Sequence, residues 1–223
     1  ETDQQLHTFS DPTINYMNGA AYSPDGKQIV TTSDVPATAI IWDIAMGEQI
    51  RIFSDPTISY MNGATYSPDG KQIVTASNNT AIIWDVATGE QIRILNGHKY
   101  VVNSATYSPD GKQIVTASFD NTAIIWDVAT GEQIHILSGH KNLVSNATYS
   151  PDGKQIVTAS YDNTAIIWDV ATGRLVHILT GHKEVVGGAT FSPDGSKVIT
   201  ASWDNTAIIW DATTGRQLRK LTG

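Results

Sequence analysis

The pentapeptide Ala-Ile-Ile-Trp-Asp occurs five times, at 39–43, 81–85, 123–127, 165–169 and 207–211. Its tryptophans, Trp42, Trp84, Trp126, Trp168 and Trp210, stand 42 residues apart. A unit this short cannot bury its own apolar face, so neighbouring units must stack to make a core. The repeat therefore limits the 223-residue chain to a stacked array before any other feature is considered.

The third unit shows the punctuation. Ser-Pro-Asp-Gly (108–111) signals a tight turn, with proline pre-setting φ and glycine accepting positive φ. It recurs at 23–26, 67–70, 150–153 and 192–195. Asp-Asn and Ala-Thr-Gly mark two more turns. Between them lie short runs rich in Ile, Val, Thr and Tyr, read as four strands: a (103–107), b (113–117), c (123–127) and d (133–137). No run has helical period. Strand c is apolar on both faces, with Ile124, Trp126 and Val128 on one and Ala123 and Ile125 on the other. Such a strand lies between two packed sheets. The expected fold is all-β, a β-propeller of four-stranded antiparallel blades. The expected units are 10–53, 54–95, 96–137, 138–179 and 180–221, with residues 1–9 an extra outer strand d.

The period, the Gly-His pairs at 97–98, 139–140 and 181–182, and the five Trp-Asp pairs resemble the WD-repeat family. The near-identity of the units is similar to that of recently amplified WD-repeat proteins of cyanobacteria and other bacteria. The resemblance implies a buried network of the Gly-His histidine, a strand-b serine, the b–c aspartate and the strand-c tryptophan. These are His98, Ser118, Asp120 and Trp126; His140, Ser160, Asp162 and Trp168; and His182, Ser202, Asp204 and Trp210. Histidine, serine and aspartate are also the parts of a hydrolytic triad. An enzyme needs one such set with an oxyanion hole, not three equivalent sets. No catalytic residue, metal site or cofactor is expected. Units one and two carry Ser-Asp-Pro-Thr in place of Gly-His. They are expected to be less stable unless Asp11 or Asp55 substitutes.

The ends are unequal. The count is five each of strands a, b and c but six of d. Three readings follow: a piece of a longer propeller, self-association that completes a ring, or a five-blade closure with one surplus strand. The first two are favoured, and a dimer is the favoured assembly, because uncovered blade faces drive association.

A net charge of −8 argues against nucleic-acid or anionic-membrane partners. The absence of cysteine removes thiol chemistry and disulfides. No apolar run is long enough to span a bilayer and no export signal is visible, so a cytoplasmic location is expected.

The positions that differ between units carry the functional expectation. One precedes the b–c aspartate: Phe119, Tyr161 and Trp203, with Asn78 and Val35 in the irregular units. Others flank the start of strand a: Tyr16 and Asn18, Tyr60 and Asn62, Asn103, Ser145. The resemblance places them on the narrower loop face around the central channel, where family members bind peptides. The expected function is a non-catalytic scaffold for a protein or peptide. The alternatives are a small-ligand or carbohydrate-binding propeller, and an amplified or engineered array with no selected activity.

Overall fold

The computed structural model describes residues 8–14 and 16–222. Every regular element in it is a six-residue strand. Blade one is β1 (Met17–Tyr22), β2 (Gln28–Ser33), β3 (Thr38–Asp43) and β4 (Gln49–Ser54). Blade two is β5 (Met61–Tyr66), β6 (Gln72–Ser77), β7 (Thr80–Asp85) and β8 (Gln91–Asn96). Blade three is β9 (Val102–Tyr107), β10 (Gln113–Ser118), β11 (Thr122–Asp127) and β12 (Gln133–Ser138). Blade four is β13 (Val144–Tyr149), β14 (Gln155–Ser160), β15 (Thr164–Asp169) and β16 (Leu175–Thr180). Blade five is β17 (Val186–Phe191), β18 (Lys197–Ser202), β19 (Thr206–Asp211) and β20 (Gln217–Thr222). Each blade is an antiparallel sheet in chain order. These are five blades of a β-propeller.

The turns explain why the strands stop where they do. In blade three the Asp110 carboxylate accepts the Ser108 hydroxyl at 2.7 Å and the Lys112 N–H at 3.1 Å, and Gly111 takes φ +71°. The b–c turn places Asn121 at φ +70°, a left-handed conformation that asparagine tolerates better than most residues.

The core sits between blades, not within them. Val115, Ala117, Ala123, Ile125 and Leu137 of blade three meet Val144, Ala147, Tyr149, Ile156, Ile166 and Trp168 of blade four. Ile124 and Trp126, on the other side of β11, join the core with blade two. β11 is therefore buried on both faces, and each large side chain there gains about 1.5–3 kcal/mol from leaving water. Equivalent cores join blades one to two and four to five. Among the described residues no comparable packing joins blade five to blade one.

One expectation changes here, and another falls mostly outside the described residues. Residues 1–7 of the proposed extra strand lie outside the described residues, and Thr8 and Phe9 are not in a strand. Phe9 lies edge-on to Trp42 at 5.7 Å, as Phe53 at the end of β4 lies edge-on to Trp84 at 5.8 Å. In unit one, Asp34 and not Val35 holds the position of Phe119. Met17 pairs with Ser33 as Val102 pairs with Ser118, so the next residue is Asp34.

Candidate functional site

Beneath the loop face runs a line of hydrogen bonds. The Trp126 indole N–H donates to Thr116 Oγ1 at 2.8 Å, and Thr116 Oγ1 meets His98 Nε2 at 2.7 Å. His98 Nδ1 lies 2.8 Å from Asp120 Oδ2. Burial works against the Asp120 carboxylate. Hydrogen bonds from Thr122, the Lys99 N–H and His98 outweigh it and hold the pKa below the ordinary range. An ionised carboxylate only accepts, so Nδ1 carries the proton. Burial pushes His98 down, which keeps the ring neutral and leaves Nε2 as an acceptor. The Thr116 hydroxyl therefore donates to His98, and all the bonds run in one direction from indole to carboxylate. Blade four repeats it with Trp168, Thr158, His140 and Asp162, and blade five with Trp210, Thr200, His182 and Asp204.

The hub is threonine, not the serine expected from the sequence. Ser118 donates to Tyr100 O at 3.1 Å and accepts the Asp120 N–H, so it fixes the two loops. Ser160 and Ser202 do the same with Asn142 O and Glu184 O. His98 Nε2 faces Thr116, so histidine, serine and aspartate do not line up as a nucleophile, base and orienting acid. The missed signal is a threonine two residues before that serine in every unit. Both point to the same strand face.

Blades one and two keep only the tryptophan end. Trp42 donates to Thr31 at 2.8 Å and Trp84 to Thr75 at 2.9 Å. Asp11 accepts the N–H and hydroxyl of Thr13 and the amide of Gln49. Asp55 accepts the N–H and hydroxyl of Thr57. Both carboxylates build their own loops and neither takes the histidine's place.

On the loop face the residues expected to bind a partner fall into two groups. Phe119, Tyr161 and Trp203 form a ladder across blades three to five, with ring centres 6.4 and then 5.5 Å apart. Trp203 ends it at 61% exposure. Tyr16, on blade one, is 71% exposed. Tyr60 is half-buried and shares a cavity of about 370 Å³ with Asn78 and Tyr100. Tyr100 is exposed and was not singled out from the sequence, although it stands where the later units have Asn142 and Glu184.

The second group stitches blades together at the channel. Asn18 donates to Met61 O, Asn62 to Val102 O at 3.0 Å, Asn103 to Ser145 O at 2.6 Å, and Ser145 to Val186 O at 3.1 Å. Asn18 also donates to Asp34. Asn62, Asn103 and Ser145 line a channel cavity of about 570 Å³. At the rim, Arg51 and Arg93 donate to the c–d turn carbonyls of the next blade. His135 and His177 approach the equivalent carbonyls, of Ala171 and Thr213. His7 lies outside the described residues. Among the described residues no three histidine or acidic side chains group as metal ligands, and no helix is long and apolar enough to cross a membrane.

The sequence matches the family described as WD domain, G-beta repeat, at 47–85, 89–127, 131–169 and 173–211. Together these matches cover more than half of the chain. The chain belongs to the WD-repeat family. No curated protein matches it. Each WD match begins just before a strand d and ends with strand c of the following blade. A WD unit therefore spans two blades, and the four matches coincide with the four inter-blade cores. WD-repeat propellers typically serve protein interaction.

Proposed function

We propose that this WD-repeat chain is a cytoplasmic, non-catalytic scaffold that holds a protein or peptide on its loop face. The observation that carries this reading is the ladder from Phe119 through Tyr161 to the exposed Trp203. Exposed aromatics on a rigid frame offer large contact area at small entropic cost, and they are enriched at interfaces. Tyr16, Tyr60 and Tyr100 extend the aromatic surface around the same face. Asn18, Asn62, Asn103 and Ser145 set its spacing by tying consecutive β1, β5, β9, β13 and β17 strands together. The net charge of −8 speaks against nucleic acid and anionic membrane as partners. The array is an incomplete ring, to be completed by self-association or by further blades.

The test is capture of binding proteins or library peptides by the wild type and by the double variant Tyr161→Ala, Trp203→Ala. Capture that disappears in the double variant, while its strand circular dichroism is unchanged, supports the reading. Equal capture by both proteins overturns it.

A further inference from the structure

Blade five presents to solvent the face that every earlier blade buries against its successor. Ile199 is 40% exposed, whereas its counterparts Val74, Val115 and Val157 are fully buried. Leu221 is 40% exposed, whereas Leu95, Leu137 and Leu179 are 1% exposed. Ala201 is also exposed and Ile209 is only half-buried. Blade one presents the complementary face along β1. Met17 and Tyr22 are 44% and 73% exposed, whereas their counterparts in blade two, Met61 and Tyr66, lie in the core. The two faces thus match the two halves of a contact that the chain already makes four times.

Resting on the reading of the chain as an incomplete ring, we propose that blade five docks onto blade one of a second copy, reproducing the inter-blade contact. The second copy is the occupant because its exposed Met17, Ala20 and Tyr22 are the repeat counterparts of the side chains that cover Val30, Ala39 and Ile41 in blade one. Charge agrees. Arg51 lies close enough to Asp85 of the next blade to stabilise its carboxylate, as Arg93 does for Asp127. Arg219 holds the same position on β20, and Asp43 is the matching carboxylate of an incoming blade one. The contact is head-to-tail: each copy gives one face and receives on another.

Docking has one obstruction. Phe9 already sits against Trp42 in the place that Leu221 of the docking blade would take. Phe9 therefore competes with the second copy, and association requires its ring to yield.

Sedimentation equilibrium of the full chain over a concentration series tests the proposal. The wild type is expected to associate, and Ile199→Glu and Tyr22→Glu are each expected to raise the required concentration at least tenfold. A mixture of the two variants is expected to regain a one-to-one dimer. The first variant retains an intact blade-one face and the second an intact blade-five face. Failure of the mixture to associate, or single variants that associate like the wild type, overturns the head-to-tail contact. Phe9→Ala should lower the required concentration several-fold, and a rise overturns the competition. The cysteine-free chain permits one more arm, the double variant Tyr22→Cys, Ile199→Cys. An intramolecular cross-link in a monomer would overturn the incomplete ring itself. A monomer without that cross-link would overturn only the second copy as occupant. The outcome of the peptide-capture test bears on neither.

Discussion

The Trp126 indole N–H and the Thr116 hydroxyl oxygen lie 2.8 Å apart, and the pair recurs in all five blades. Its extension to histidine and aspartate exists in three blades only. The constant pair belongs to strands b and c, whose register is fixed by the apolar faces they bury. The variable part belongs to loops. Thr116→Val is expected to leave the Trp126 N–H unsatisfied and His98 Nε2 without its donor, at a cost of about 2–4 kcal/mol. Ser118→Ala should cost about 1 kcal/mol, because that hydroxyl joins two loops and touches neither the indole nor the histidine. Urea midpoints of the two variants would separate the roles, and equal losses would remove threonine from the hub.

Blade two lacks the histidine and blade three has it, and both are interior blades. Amide hydrogen exchange is expected to be faster along β6 and β7 than along β10 and β11. Equal protection in the two blades would mean that the histidine network adds nothing to local stability.

Acid should weaken the array in two steps. Above the ordinary histidine value of 6.5, residue 98 is neutral in both folded and unfolded chains. Below it, the unfolded chain takes up a proton that the buried site refuses, so stability falls as pH drops toward the lower folded value. The hydrogen bonds to Asp120 contribute above the ordinary carboxylate value of 3.8 and are lost below it. Between pH 7.5 and 5.5 the wild type should lose stability more steeply than His98→Gln. Parallel curves would exclude His98 as the titrating group.

Asn121 sits at φ +70°, where a Cβ-bearing residue without a turn-forming side chain is strained. Asn121→Ala is expected to cost about 1 kcal/mol, and Asn121→Gly close to nothing. Thermal midpoints would show the order, and the reverse order would contradict the left-handed turn.

Arg93 donates to Ala129 O and Thr130 O of blade three. Arg219 occupies the same place on the last blade and has no next blade to clamp among the described residues. Arg93→Ala should destabilise by about 0.5–1.5 kcal/mol, and Arg219→Ala should leave the dilute chain unchanged. Similar losses at both positions would show that the clamp is not what the arginine contributes.

Strand order, turn positions and the double burial of strand c were legible in the sequence, because alternation, turn chemistry and a fixed period are local properties of the chain. The histidine–aspartate link was legible only through the family resemblance. Thr116 was overlooked as the hub because Thr116 and Ser118 share a strand face. Only the placement of the indole decides which hydroxyl it reaches. The channel residues Asn62 and Asn103 read as candidate partner contacts, and each also donates an amide N–H to a carbonyl of the next blade. That follows from the approach of two strands some forty residues apart, which no local pattern contains. The repeat by itself determined that blades must cover one another. Which faces stay open, those of Ile199 and Tyr22, was decided by the tertiary structure, because exposure depends on what stacks against a face and not on the residues that form it.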